Sequence, residues 1–487
     1  MFSLSSNPTI AEVLHLYTTR QATVEQLVKF FLNRIDHLDK KIQAVVRKNE
    51  ALAFATAAKL DELLNATDDT DLANLFSKYP LFGVPFMLKD NILVEGIEAT
   101  SQAKILDGYV APYSSNVYER LAEAGGVFIA QTNMDEFAFG SSTEFSGFGQ
   151  VTHNPHDLDR VPGGTSGGSA AAVAAGMVPF ALGTDTGGSI RQPSSFCGTV
   201  GLRPTYGFLP RYGIMASTSS FDQPGPITNT VEDTALVFSI LSGKSNNDQT
   251  NLDVSLHQPK SSITIGIPKE LFGEGLAPEV RAAFEQLISE LRLKHEVKEV
   301  SLKLSPEVLS VYYILQTVEA SANLERYDGI RFASQHKDDQ VVEDSAGMYF
   351  EARSKGFGDE TKRRIMLGTY TSSAGYYDAY YNKACAVREL MRREYAEVFK
   401  EVDVLLMPAS PTPAFKIGEN SEDPMAMYLA DIMTVSHPIV RVPGLVVPFT
   451  TVNFEGANLP VGAQLVGPEL SENTLFELGK EVAELKK

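Results

Sequence analysis

Apolar positions along the chain recur first at helical and then at strand spacing, and each change of period marks an element. Residues 23–38 carry Val24, Leu27, Val28, Phe31, Ile35 and Leu38 on one helical face, opened by a Thr23/Gln26 capping box. Residues 51–64 predict a second helix and 65–71 an acidic loop. Residues 81–88, LFGVPFML, are an unbroken apolar run of buried-strand type ending in Lys89-Asp90-Asn91. Residues 116–124 read as a helix stopped by Gly125-Gly126, and 127–131 as a strand. This alternation is that of an α/β core. The segment 133–149 is irregular, and its Met134, Phe137, Phe139, Phe145 and Phe148 read as core or pocket wall.

Small residues then predict a helix over 169–176 and a short apolar strand over 178–183. Residues 208–228 are loop-rich, 232–241 helical, and the polar stretch 242–260 a surface connection. A strand, ITIGI, restarts the pattern at Ile263. A helix follows from Pro278 with Val280, Phe284, Leu287 and Leu291 along one side. Ser305-Pro306 opens a helix running towards Arg326. The tyrosine-rich stretch 375–399 predicts one long helix, and 402–407 a buried strand. Residues 444–452 and 459–466 predict a pair of β segments, and 473–485 a closing helix.

Composition narrows the classes. With 487 residues and 43% hydrophobic content the chain can bury a sizeable core. It has no apolar run of about 18 residues, so no membrane span is expected. MFSLSSNPTI lacks the features of a signal peptide. Two cysteines, Cys197 and Cys385, fit a reducing cytoplasm. A net charge of −19 argues against a broad nucleic-acid face, so any RNA is expected to be held mainly by a partner. His153 and His156 stand three apart beside Asp157 and Asp159, but in a proline loop that reads as solvated, and no metal site is expected.

The chemistry concentrates in residues 160–207. Gly163-Gly164-Thr165-Ser166-Gly167-Gly168 and Gly187-Gly188-Ser189 are two glycine-flanked hydroxyl clusters, able to present two hydroxyls to one point. A phosphate loop would need Lys then Ser or Thr after its last glycine. A dinucleotide fingerprint or a nucleophile elbow would need a hydrophobic strand before it, and 153–160 is polar. The plain alternative is that the glycines only pack a helix against a sheet. Lys89 shifts the balance. A lysine at the end of a buried strand tends to lose its proton, and neutral lysine can serve as general base for a hydroxyl. The N–H groups of Thr186, Gly187, Gly188 and Ser189 lie in one glycine turn and can converge on an oxyanion. Asp185 and Arg191 read as a structural pair shaping that turn.

In these residues the chain resembles the amidase signature family, whose members use a Ser-cisSer-Lys triad on a stretch of this form. The resemblance implies Ser189 as nucleophile, Lys89 as base and Thr165 at the bridging position, with Ser166 supporting by hydrogen bonding. Threonine at the bridge departs from the family's usual serine. Blocks in the C-terminal half, YDGIRF (327–332), KRRIMLGTY (362–370), GYYDAYYNKA (375–384), PTPAFKIGE (411–419) and DPMAMYLADIMT (423–434), are similar to the A subunits of tRNA-dependent glutamyl and aspartyl amidotransferases.

That likeness implies an α/β amidase fold: a single large domain over 1–487 with a central mixed sheet covered by helices. The signature core would span about 75–240, with 263–487 completing the sheet and the substrate pocket. It implies glutamine hydrolysis, with ammonia passed on to amidate glutamyl- or aspartyl-tRNA. Arg364 would hold the substrate carboxylate and Asp431 its ammonium, while Tyr312, or failing it Tyr313, would line the pocket. No cofactor is implied in this chain. ATP and Mg2+ would be used by partner subunits, the B and C subunits of such an enzyme, which would also hold the tRNA, in the cytoplasm. His437, Pro438 and Arg441 stand where the family carries small, neutral residues. Two rivals remain: a free-standing amidase of other small amides, which would not need Arg364 and Asp431 together, and a non-catalytic scaffold with a decayed triad.

Overall fold

A computed structural model describes residues 4–260, 262–332, 344–421 and 423–485. The described strands are β1 (Val45–Lys48), β2 (Pro85–Lys89), β3 (Val127–Thr132), β4 (Phe180–Asp185), β5 (Val200–Arg203), β6 (Gln223–Thr228), β7 (Thr264–Pro268), β8 (Glu296–Val300), β9 (Val404–Pro408), β10 (Gly444–Phe454) and β11 (Ala457–Val466). They form one mixed sheet in the order β1-β3-β2-β4-β6-β5-β10-β11-β9-β7-β8. Strands from both halves of the chain thus share one core, and the architecture is a single α/β domain.

The central strands follow the apolar runs. β2, β3, β4, β5, β6 and β9 are buried at every position, as expected of strands covered on both faces. Phe86 of β2 stacks on Phe180 of β4 at 5.5 Å and lies 5.8 Å from Phe128 of β3. β2 runs parallel to both β3 and β4. Their carboxyl ends, at Lys89, Thr132 and Asp185, therefore meet at one end of the sheet, where open α/β sheets place their ligands.

Helix Val24–Ile42 opens on the Thr23/Gln26 capping box and runs past residue 38 to Gln43, which adopts a left-handed conformation. Helix Gly167–Ala174 begins two residues before the predicted start. Its small residues let it sink between strands, and at Gly168 its backbone passes directly over those of Asn133 and Ala44.

Several elements differ from the sequence pattern for physical reasons. The loop-rich stretch 208–228 contains β6, a central strand with prolines at 224 and 226 facing β4 partners Thr184 and Leu182. Prolines normally exclude such a strand. Here they alternate, so the missing donors fall on one edge of β6 while Gly225 and Ile227 keep theirs on the other. β1 and β8 are short outer strands, and β8, EVKEV, carries charges that protect an edge. The single helix expected over 375–399 is a π-helical segment, Asp378–Asn382, followed by helix Lys383–Val398. Helices Ser345–Gly356 and Asp359–Ser372 carry no clear apolar stripe, and the second packs beside helix Val308–Leu324.

The aromatic stack under β2 is the test of this core. Phe86→Ala is expected to cost about 3–5 kcal/mol, read as a lower denaturation midpoint, whereas Phe86→Leu should cost markedly less. Equal midpoints for wild type and Phe86→Ala would contradict the packing.

Candidate active site

Lys89 ends β2 fully buried, and its Nζ has three close partners: Thr165 Oγ1 at 2.6 Å, Ser166 Oγ at 2.9 Å and Thr184 Oγ1 at 3.1 Å. Ser166 Oγ donates to the Thr184 carbonyl at 3.0 Å and so must accept from lysine. Thr184 Oγ1 also accepts from Asn91 Nδ2. A neutral amine has two N–H groups and one lone pair. In that form the two N–H groups would serve Ser166 and Thr184 and the lone pair would be left for the Thr165 hydroxyl; the ammonium form donates to all three. Burial lowers the lysine to about 7, outweighing attraction to Asp135, Asp185 and Asp222. The Gly164–Thr165 peptide is cis.

Ser189 stands in the turn after β4 and is joined to this cluster through its backbone, its carbonyl accepting from Ser166 N–H at 3.1 Å. None of the N–H groups of Thr186, Gly187, Gly188 and Ser189 donates to a protein acceptor among the described residues. The turn is held from behind. Asp185 accepts from Arg191 Nε and Nη2 at 2.9 Å each and from Arg203 Nη1 at 3.1 Å. Burial alone would raise Asp185, but Arg191 and Arg203 hold it well below the carboxylate range. Thr186 Oγ1 donates to Asp222 at 2.7 Å. Glycine is required at 187 and 188 because a side chain at the first would strike the Tyr312 hydroxyl and at the second the Thr434 side chain.

The other predicted residues come from distant elements. Tyr312 and Tyr313 lie on helix Val308–Leu324, Arg364 on helix Asp359–Ser372, and Asp431 after helix Pro424–Leu429. Tyr312 stacks on Phe221 with its hydroxyl against Gly187. Tyr313 donates to Asp431 Oδ2 at 3.3 Å while its ring lies 5.2 Å from the Arg364 guanidinium. Arg364 makes the i,i+4 ion pair with Glu360 at 2.8 Å, but buried rather than on a helix surface, and donates to Gln316 at 2.9 Å. Phe139 and Tyr428 complete its aromatic surround. Asp431 also accepts from Ser141 at 2.6 Å, and burial lifts it to about 7.

The departure at 437 finds a place here. His437 Nδ1 accepts from Arg191 Nη1, and the same Nη1 reaches the Thr434 carbonyl and Gln464 Oε1 at 2.9 Å each. Burial and the nearby Arg191 push the imidazole well below its usual range, so it is neutral. Arg441 turns the chain with a positive φ and lies over the Tyr206 ring. His153 and His156 face the carbonyls of Leu158 and Cys197. Sequence reasoning missed Ser141, Thr184, Asp222, Thr434 and Gln192, whose Oε1 accepts from Gly164 N–H at 2.9 Å beside the bridging threonine. Only the Ser141-Ser142-Thr143 run offers a local signal, as a third hydroxyl cluster beside a glycine.

Among the described residues no helix is long and apolar enough to cross a membrane, and no His, Cys, Asp and Glu cluster could hold a metal ion. A family model described as Amidase matches residues 26–476. The chain is 46% identical over 478 residues to the A subunit of glutamyl-tRNA(Gln) amidotransferase from Geobacillus thermodenitrificans, covering 96% of this chain and 95% of that one. It is 44% identical over 478 residues to the Clostridium botulinum protein of the same name, with the same coverage. The crystal structure of the glutamyl-tRNA(Gln) amidotransferase A subunit from Thermotoga maritima superposes with a TM-score of 0.79 at 37% identity, covering 98% of this chain and 95% of that one.

Lys89 also makes stability depend on pH. The unfolded chain holds its lysine proton up to about 10.5, the folded chain only up to about 7. Between these values the unfolded state binds more protons, so stability rises with pH. Below about 7 both states are protonated and the full cost of the buried ammonium is present. Lys89→Met is therefore expected to gain more stability over wild type at pH 6 than at pH 9 in denaturant titrations. A difference that does not vary with pH would sink this assignment.

Proposed function

The chain belongs to the amidase family, and on that premise we propose that it is the glutamine-hydrolysing component of a glutamyl-tRNA(Gln) amidotransferase. The observation that carries the reading is the fully buried Lys89 amine, 2.6 Å from the Thr165 hydroxyl and brought down to about 7 by desolvation, where it can give up its proton and take one from that hydroxyl. Ser189 Oγ attacks the side-chain amide carbon of glutamine, and its proton passes through Thr165 to Lys89. The negative charge that forms on the amide oxygen is met by the N–H groups of the 186–189 turn. As the C–N bond breaks, the proton returns from Lys89 to the nitrogen, and ammonia leaves. Water then attacks the acyl-enzyme by the same relay, releasing glutamate and restoring Ser189. Threonine can relay the proton because only its hydroxyl is needed; its methyl narrows χ1. Ser166 fixes the lysine by accepting one of its N–H groups.

A free amino acid needs a cation for its carboxylate and an anion for its ammonium. Arg364 and Asp431 supply them, with Tyr312 and Tyr313 as the wall between. Ammonia then goes to partner subunits, the B and C subunits in this reading, where ATP and Mg2+ activate the glutamyl group of tRNA(Gln), or the aspartyl group of tRNA(Asn). A chain of net charge −19 leaves most of the tRNA contact to those partners. The reaction is cytoplasmic.

The test is ammonia release from glutamine by wild type and Ser189→Ala, each alone and with partner subunits, ATP and glutamyl-tRNA. Ser189→Ala is expected to lose about a thousandfold or more. Wild-type kcat/KM should rise with pH through about 7, as Lys89 loses its proton. Vigorous partner-independent hydrolysis of simple amides, with glutamine a poor substrate, would overturn the reading in favour of a free-standing amidase.

A further inference from the structure

Each N–H in the 186–189 turn belongs to a peptide whose carbonyl points the opposite way, since the peptides are trans. Holding the carbonyl from behind therefore aims the N–H. Arg203 Nη1 holds the Asp185 carbonyl and so aims Thr186 N–H. Gln192 N–H holds the Gly188 carbonyl at 2.8 Å and so aims Ser189 N–H, through helical backbone that is fixed anyway. The Gly187–Gly188 peptide differs. It has glycine on both sides, where rotation of the whole peptide plane is least hindered. Its carbonyl, like that of Asp185, is held by a side chain from outside the turn: Thr434 Oγ1 donates its one hydrogen to Gly187 O at 2.6 Å, with the Asp431 carbonyl, at 3.0 Å, the longer second acceptor within reach.

Thr434 is fully buried and is itself well fixed. Its N–H donates to the Asp431 carbonyl at 2.9 Å, and its own carbonyl accepts from Arg191 Nη1 at 2.9 Å. Its side chain also fills the space against Gly188 that a Cβ there would occupy. It thus both orients the Gly187–Gly188 peptide and blocks its rotation.

We propose that Thr434 is a positioning residue that aims the Gly188 N–H at the developing oxyanion. The inference rests on the glutaminase reading above. It makes the hole depend on a residue 247 positions from Gly187 in sequence. That residue stands shortly after the proposed ammonium ligand Asp431 and is hydrogen-bonded to its backbone.

Thr434→Val keeps the shape and removes the donor. Its kcat for glutamine is expected to fall about 10- to 100-fold, less than or comparable to outright loss of an oxyanion donor, with KM within about threefold. Thr434→Ser should restore kcat to within about threefold of wild type, which a role in packing alone would not produce. Glutamate γ-semialdehyde, which Ser189 can convert into a tetrahedral adduct, should lose affinity in step with kcat, while glutamate affinity stays unchanged. Thr434→Ala, which also lacks the donor, gives the same comparison if valine unfolds the segment. Wild-type kcat in both donor-less variants, equal impairment in Thr434→Ser, or an effect confined to KM overturns the proposal. Glutamine hydrolysis surviving in Ser189→Ala, assayed alongside, would instead bring down the functional reading on which it rests.

Discussion

A buried lysine that gives up its proton near neutrality depends on what happens to the acids around it. Asp135, Asp185 and Asp222 all lie near enough to favour the ammonium form of Lys89, and desolvation opposes them. Each carboxylate is turned to other work. Asp185 is neutralised by Arg191 and Arg203. Asp135 accepts the N–H groups of Thr143 and Phe145, and Asp222 those of Ser217 and Thr218 together with the Thr186 hydroxyl. Lys89 forms no ion pair among the described residues, and its partners are hydroxyls and a carbonyl. The hydrogen bonds that draw these acids away from the lysine also shape the loops around it. The lowered lysine and the ordered turn are two results of one arrangement.

Arg191 shows how tightly that arrangement is drawn. It joins Asp185 to Thr434, His437 and Gln464, so the turn after β4 is tied to the segment that carries Asp431. Two arginines and one aspartate already leave this buried hub with an excess cation, and a protonated His437 would add another. The neutral imidazole offers Nδ1 as an acceptor instead, at the cost of a buried Nε2 without a partner among the described residues. An unmatched donor costs less than an unpaired charge at the same depth.

What can be read from the sequence is local. A buried strand ending in lysine, a glycine turn with its hydroxyls and a small-residue helix all declare themselves within a few positions. The residues that complete the site do not, because sheet order brings them together. β5 lies between β6 and β10, which sets Arg203 opposite Gly444 and brings the C-terminal segment against the signature turn. Thr434 and Asp222 look like ordinary polar residues until that topology is known, and Ser141 shows only as one of a run of hydroxyls. β6 is hidden for the opposite reason: its prolines are a correct local signal against a central strand, overridden by their alternation. Arg364 and Asp431 are reached only by likeness to a family, since neither carries a periodic or spacing signal of its own.

The charged groups Arg364 and Asp431 already have protein partners, and this bears on selectivity under the proposed reading. Arg364 is paired with Glu360 and hydrogen-bonded to Gln316, and Asp431 is hydrogen-bonded to Ser141 and Tyr313. A ligand must therefore exchange hydrogen bonds rather than simply gain them. In that reading an amino acid would repay both exchanges, its carboxylate at Arg364 and its ammonium at Asp431. A simple amide repays neither and would leave buried groups desolvated without compensation. Asp431 sharpens the contrast, since burial holds it near 7 and an arriving ammonium favours its charged form. Discrimination of this kind needs no steric exclusion: it follows from placing two buried ionisable groups of opposite sign on either side of one tyrosine, Tyr313, which touches both.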